Sequence, residues 1–276
     1  MPLEKMFHGP PQHLEIGSLN FVGLSAPTTG RRRFTQQRPV LLSQLASAIN
    51  LFQHNGKFSR SCTGMNNNSS IERQRVLNGY AGLGGNRKLW GGVQVTAVES
   101  DPKIAEVYQR LFPGDEIVIG DAHQYLLDHY SEFEFIWLSP PCQSHSKMNK
   151  ATRHKSRRYP DPRLYEEIIF LQHFVAKPWV VENVAPYYQP LVPPSRRVGR
   201  HLFWSNFKIE AEEVPAPSNF INLCNLAGKK ALMEWLGLYY EESIYHNGSH
   251  CPAQILRNCV HPLIGQQVLA SARRWR

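Results

Sequence analysis

The chain has 276 residues, a length that suits one domain of α/β size with an appendage. Hydrophobic residues make up 42% and charged residues 19%, so most of the chain is expected to be globular, and disorder throughout is excluded. The formal net charge of +9 favours a polyanionic partner, with nucleic acid as the leading class. A basic surface that serves only solubility is the alternative.

Cysteine usage and hydropathy exclude two further classes. The five cysteines, at positions 62, 142, 224, 251 and 259, are odd in number and show no Cys-x-x-Cys spacing. This pattern argues against a disulfide framework and indicates a reducing compartment. Because no run of about 18 apolar residues occurs, we expect no membrane span.

Residues 1–70 combine prolines, an arginine triplet and a polar stretch, with Glu4 and Glu15 as their acidic residues. Such a segment buries too little apolar surface to offset its ordering entropy. We predict a weakly ordered N-terminal extension over residues 1–70, with an organelle transit peptide as the alternative.

From Ile71 onward, short apolar runs alternate with helical patterns. The runs predict strands at 75–78, 93–99, 116–120, 133–138 and 179–182. Helices are predicted through 87–90, from Pro102 to about 111, from about 162 to 176, and at 229–238 and 263–275. Alternating strands and helices predict an α/β fold with a doubly wound, mostly parallel, Rossmann-like sheet.

Glycines and acidic residues follow the first three strands. The loop from Gly79 to Gly85 would let a cofactor approach the backbone, and Glu99 at the end of the second strand suits ribose hydroxyls. Asp121, after the third strand, is placed to meet an adenine amine. Together they predict an adenosine-containing cofactor, although a tight turn without ligand and a simple turn aspartate are the alternatives.

A candidate nucleophile follows the fourth strand. The apolar run ends in Ser139-Pro140-Pro141, so Cys142 is expected at the mouth of the sheet, where ligands bind in such folds. Nearby cationic side chains would favour its thiolate. Glu182 and Asn183 end the fifth strand on the same rim, and the glutamate is a candidate acid. The alternatives are a small buried cysteine and a solvated glutamate.

Between these two strands, residues 144–163 carry seven basic residues against one acidic residue, Asp161. They are Lys147, Lys150, Arg153, Lys155, Arg157, Arg158 and Arg163. This charge beside the nucleophile predicts a loop that contacts phosphates rather than a generic solvated face.

These residues resemble the cytosine-5 DNA methyltransferases, which use a Pro-Cys cysteine and a Glu-Asn-Val glutamate. The resemblance implies catalytic roles for Cys142, Glu182, Asn183 and an arginine, for which we select Arg200. Asp161–Tyr165 resembles the end of the mobile catalytic loop. S-adenosyl-L-methionine would be the cofactor, bound by Tyr80, Ala81, Gly82, Gly84, Gly85, Glu99, Asp121, Pro141 and Asn258.

The resemblance also implies a partner and a domain plan. The partner would be duplex DNA with a cytosine flipped from the stack, and the protein would be a cytoplasmic monomer of a bacterial cell or phage-infected host, as in restriction-modification. Residues 71–210 with 255–276 would form the catalytic domain, and 211–254 a short target-recognition region.

Three alternatives remain open at this point. A Rossmann oxidoreductase would also use the glycine loop and Glu99, and a DNA-binding protein with a relic catalytic fold would explain the altered arginine motif. An RNA substrate is the third. Zinc binding is not expected, because the spacing of Cys224, His250, Cys251, Cys259 and His261 fits no tight pattern.

Overall fold

The structure is a computed structural model that describes residues 73–151, 158–245 and 251–275. The chain divides into two units, Met1–Asn67 and Asn68–Arg276, and all described residues belong to the second. The predicted extension over residues 1–70 therefore lies outside the described residues.

Seven strands form one sheet in the order β3-β2-β1-β4-β5-β7-β6. Strands β1 to β5 are parallel, β7 is antiparallel to β5, and β6 is antiparallel to β7. This topology confirms the predicted doubly wound, mostly parallel sheet. The strands are β1 (Gln74–Gly79), β2 (Val93–Glu99), β3 (Glu116–Ile119), β4 (Phe135–Leu138), β5 (Trp179–Val184), β6 (Arg196–Val198) and β7 (His201–Ser205).

Helices connect the strands and cover both faces of the sheet. They are α1 (Pro102–Leu111), α2 (Ala122–His129), α3 (Lys147–Ala151), α4 (Arg163–Phe174), α5 (Leu226–Leu236), α6 (Gln254–Arg257) and α7 (Pro262–Arg273), with 3-10 turns at Tyr130–Glu132 and Phe220–Asn222. Helix α1 begins as its sequence predicts, since the Asp101 side chain accepts a hydrogen bond from the Lys103 backbone and Pro102 occupies the first turn.

The predicted helix through residues 87–90 is wrong. This segment forms turns, in which the Arg87 and Lys88 amides both donate to the Gly84 carbonyl. Gly84 has φ of +70° and Gly92 has φ of +66°, so left-handed positions lie on both sides of the segment and leave room for only one turn.

The strands bury side chains on both faces, as expected for a parallel sheet. On one face, Val76 and Trp137 pack with Val268 of α7. On the other face, Leu77 and Leu138 pack with residues of α2 and α4. The sheet is thus held rigidly between two apolar layers, which determines the position of the loops at its carboxyl edge.

A third apolar cluster joins the C-terminal part of the chain to the back of the glycine loop. Leu232 and Leu236 of α5 and Leu256 of α6 pack with Leu83 and Ile104. The role of residues 211–254 in target recognition stays a prediction. Within the three described ranges, the helices are too short or too polar to cross a membrane.

Candidate active site

One pocket lies at the carboxyl edge of the sheet, where β1, β2, β4 and β5 end. Glycine-loop residues and Glu99 line one side, and Cys142 and Glu182 line the other. The pocket includes most of the residues predicted for cofactor and catalysis: Tyr80, Ala81, Gly82, Gly85, Glu99, Pro141, Cys142, Glu182, Asn183, Arg200 and Asn258.

The glycine loop turns sharply at three residues with positive φ, namely Tyr80 at 57°, Gly82 at 54° and Gly84 at 70°. Gly85 lines the pocket and also allows close packing behind it, since a Cβ there would lie 2.6 Å from the Val260 carbonyl oxygen. Gly84 is likewise packed against aromatic side chains and does not line the pocket. The side of the glycine loop that faces away from the pocket is therefore tightly packed against the rest of the protein.

The front of this loop fits an adenosine-containing cofactor. A Cβ added to Gly82 would meet nothing within 4 Å, so the backbone is open on this side. The Glu99 carboxylate accepts hydrogen bonds from the backbone amides of Gly82 and Asp101, both at 2.9 Å. This holds an acceptor group at the end of β2, where ribose hydroxyls bind in related folds.

Asp121 lies elsewhere. Its side chain caps α2 by accepting a hydrogen bond from the His123 amide at 2.9 Å, and it pairs with Arg163 at 3.2 Å. Because half of this side chain is exposed and it does not line the pocket, its contact with adenine stays a prediction.

Cys142 lies in a tight turn directly after β4. Its carbonyl accepts hydrogen bonds from the amides of His145 at 3.1 Å and Ser146 at 2.9 Å. The Asn183 side chain donates to the Pro140 carbonyl at 2.9 Å. Asn183 thus ties the end of β5 to the end of β4 and holds Cys142 and Glu182 at one rim.

The thiol of Cys142 is protonated at neutral pH. Burial is the main reason that its pKa rises to about 11; the negative charge of Glu182 adds to the rise and Arg200 opposes it. Arg200 favours the thiolate, as expected of a cationic neighbour, but desolvation outweighs the guanidinium. The Cys142 thiol must therefore lose its proton after substrate enters the pocket.

Glu182 is 5% exposed and lies beside His201, which the sequence reasoning missed. The two atoms His201 Nδ1 and Glu182 Oε1 are 2.7 Å apart. Residue 201 lies opposite Val184 in the antiparallel pairing of β5 and β7, so it shares a face with Glu182. Only the register between β5 and β7 reveals this neighbour.

Arg200 reaches the pocket from the turn before β7, and burial lowers its pKa. Its guanidinium donates to the carbonyl of Arg257 at 2.6 Å and to that of Cys259 at 3.3 Å, and it lies 5.0 Å from the centre of the Phe220 ring. These contacts hold Arg200 on the C-terminal side of the pocket. Its contact with cytosine stays a prediction.

The predicted basic loop is described only at its two ends. Lys147 and Lys150 lie in α3, and the side chains of Lys147, Arg158 and Arg163 are exposed. The predicted phosphate contacts of Arg153, Lys155 and Arg157 lie outside the described residues.

The two described ends of the loop are tied by Asn149. Its side chain accepts from the Arg158 amide at 2.9 Å, and it donates to the Arg158 carbonyl at 2.6 Å. The Ser144 hydroxyl, two residues after Cys142, accepts from the Asp161 amide at 3.1 Å. Hydrogen bonds therefore join the two ends of the basic loop close to Cys142 in the chain.

A buried polar cluster lies beneath the glycine loop and was also missed. The Tyr80 hydroxyl donates to Glu167 of α4, and His123 Nδ1 lies 3.1 Å from the same carboxyl oxygen. Glu167 is 0% exposed, and burial is the main reason that its pKa rises to about 7. The cluster joins the loop that lines the pocket to the helix after the basic loop.

In the described part of the chain, no group of three His, Cys, Asp or Glu side chains is arranged to hold a metal ion. His250, considered for zinc, lies outside that part. Cys224 and Cys251 both contact the Arg257 guanidinium, with N–S distances of 3.0 and 3.4 Å.

The sheet has the Rossmann-like architecture of S-adenosylmethionine-dependent methyltransferases, and the family match indicates that cofactor for the pocket formed by the glycine loop, Glu99 and the Cys142–Glu182 rim. Residues 75–188 match the model of the family described as C-5 cytosine-specific DNA methylase. The matched segment is similar to that family, which confirms the resemblance drawn from its motifs. The matched segment ends before Arg200, His201 and Asn258.

Three solved structures are similar to parts of the chain, each with a TM-score of 0.30. A DNMT2 mutant of Spodoptera frugiperda is 23% identical and covers 40% of this chain and 35% of its own. A SAM-dependent methyltransferase from Agrobacterium tumefaciens is 15% identical and covers 42% and 40%. An RNA methyltransferase from Salinibacter ruber in complex with S-adenosyl-L-homocysteine is 16% identical and covers 53% and 85%.

This chain thus matches about a third of the length of the DNMT2 structure. No curated protein matches the sequence. All three TM-scores lie below 0.5, so these likenesses are partial.

Proposed function

We propose that this protein transfers a methyl group from S-adenosylmethionine to C5 of a cytosine in duplex DNA. The observation that carries the proposal is one pocket in which Cys142 and Glu182 face a glycine loop supported by Glu99. A nucleophile, an acid and a cofactor cradle in one cleft suit covalent catalysis on a poor nucleophile such as cytosine.

Two residues of this chain activate the base. The Cys142 thiol loses its proton and adds to C6, which breaks the C5–C6 double bond and makes C5 enamine-like. Glu182 donates a proton to N3 as this charge develops. After transfer, a water molecule takes the C5 proton, the freed electron pair restores the C5–C6 double bond and expels the Cys142 thiolate, and the N3 proton returns to Glu182.

Glu99, Gly82 and the other glycine-loop residues would hold the cofactor, whose sulfonium supplies the methyl group when it is bound. A base cannot reach Cys142 from within the duplex, so the cytosine would enter the pocket only after it leaves the stack. Exposed Lys147, Arg158 and Arg163 belong to the segment that follows Cys142 in the chain, and they would contact phosphates.

Trapping with 5-fluorocytosine tests this proposal. The duplex carries 5-fluorocytosine in mixed sequence, and S-adenosylmethionine is present. Fluorine at C5 blocks the final elimination, so the covalent protein–DNA adduct persists on a denaturing gel. We expect an adduct with the wild type and with Cys224→Ala, whose thiol lies outside the pocket, and none with Cys142→Ala.

Three further measurements distinguish this proposal from the alternative functions. An adduct with a matched RNA duplex but not with DNA would correct the substrate class. Binding of DNA and cofactor without any adduct would favour a catalytically impaired DNA-binding protein. Tight binding of a nicotinamide dinucleotide in place of S-adenosylmethionine would favour an oxidoreductase.

A further inference from the structure

We propose that His201 is a positioning residue for Glu182: it holds one carboxyl oxygen so that the other can donate a proton to cytosine N3. The inference rests on the proposed cytosine methylation and names a residue beyond the segment that matches the family model. Its basis is a contact between two side chains that line the same pocket as Cys142.

The first step is the geometry of the pair. His201 Nδ1 lies 2.7 Å from Glu182 Oε1, and each side chain is only 7% exposed. The imidazole is stacked at 22° on Phe203, which lies directly opposite Glu182 in the sheet. Sheet register and ring stacking therefore both hold the imidazole against the carboxyl group.

The second step is the proton that the pair must share. An unprotonated ring nitrogen and a carboxylate oxygen at this distance would face each other with lone pairs in a poorly hydrated site. A proton on Nδ1 would remove that repulsion and let the imidazole hold Oε1, which leaves the other carboxyl oxygen free to face N3.

The third step concerns the neighbouring charges. The Arg200 guanidinium donates to two backbone carbonyls of the C-terminal segment, those of Arg257 and Cys259. Arg200 thus affects Glu182 through its charge, whereas His201 contacts the carboxyl oxygen directly. Orientation of the acid is accordingly assigned to the histidine.

The test compares His201→Leu with His201→Asn. Leucine keeps much of the volume and removes the polar contact, whereas asparagine retains a side-chain amide near the place of Nδ1. We measure the single-turnover rate of adduct formation with 5-fluorocytosine DNA, together with the dissociation constants for cofactor and for DNA. His173→Leu, on the exposed face near the end of α4, is the matched control.

We expect His201→Leu to slow adduct formation by about 30-fold, because a positioned acid contributes about 10²- to 10⁴-fold and is displaced here rather than removed. Both dissociation constants should stay within about 2-fold, since a binding or folding defect would raise them. His201→Asn should retain the wild-type rate within about 3-fold. If His201→Leu does not fold, His201→Gln takes its place, because its longer side chain reaches past the Nδ1 position.

Two results would overturn the inference alone: an unchanged rate in His201→Leu, or an equal loss in the leucine and asparagine variants while both remain folded. A wild type that forms no adduct would overturn the proposed function, and the inference with it. The two failures are therefore distinguishable in a single set of reactions.

Discussion

Glu167 makes the stability of this protein depend on pH in an unusual direction. Burial raises the pKa of this carboxyl from 4.5 to about 7, while the hydrogen bonds from Tyr80 and His123 oppose the rise in part. Between these two values the native state keeps a proton that the unfolded chain releases. Stability therefore falls as pH rises from about 4.5 to about 7, and the loss is complete above that.

The size of the effect follows from the two pKa values. The difference between about 7 and 4.5 corresponds to about 3 kcal/mol of unfolding free energy, at about 1.4 kcal/mol for each pKa unit. Glu167→Gln removes the titration but keeps an acceptor for the Tyr80 hydroxyl. We expect the free energy of unfolding of the variant, relative to wild type, to rise by about 3 kcal/mol between pH 4.5 and pH 8.

Urea unfolding at pH 4.5, 6, 7 and 8 measures this difference, provided that the m-value stays constant. Glu166→Gln is the matched control, because its carboxyl is the neighbour on the exposed face of α4. Its stability should follow that of the wild type at every pH. A Glu167→Gln variant whose curve also runs parallel to the wild type would refute the raised pKa and the buried cluster as the source of the effect.

Two further predictions concern the pocket and its entrance. Iodoacetamide should modify Cys142 slowly at pH 7.5, with a rate that rises toward pH 11, because its thiol pKa is about 11. Exposed Cys224, whose pKa is lowered, is the internal control in the same digest, and a plateau for Cys142 below pH 9 would contradict the reasoning. Arg163→Gln should lower the slope of log K against log salt by about 0.9, as expected for one lost phosphate contact, and an unchanged slope would exclude that contact.

The sequence predicted the parts of the fold that local patterns encode. The alternating pattern at 93–99 predicts a strand, and the structure places β2 at those residues. Cys142 was found from the prolines that precede it, and Glu99 from its distance to the glycine loop. In each case the signal lies within a few residues of one strand end.

The features that were missed depend on contacts across long stretches of chain. The hydrogen-bond partner of Glu167 is Tyr80, which lies 87 positions earlier in the chain. Within α4 alone, Glu167 cannot be told apart from an apolar residue that faces the core. His201 is found only through the register between β5 and β7, and β6 is too short and too rich in arginine to show an alternating pattern. The raised pKa of Cys142 likewise depends on burial that no local pattern shows.

The raised pKa of Cys142 and the contact of Glu182 with His201 both affect when the thiol can ionise. Among the effects that raise the pKa of the thiol is the negative charge of Glu182. A proton on Glu182 removes that charge, so the form of the acid that can donate to N3 is also the form beside which Cys142 ionises more easily. Burial keeps the Cys142 thiol protonated, and in the proposed mechanism His201 orients the carboxyl group that donates to N3. Activation of the thiol is thereby coupled to the presence of a base that can accept that proton.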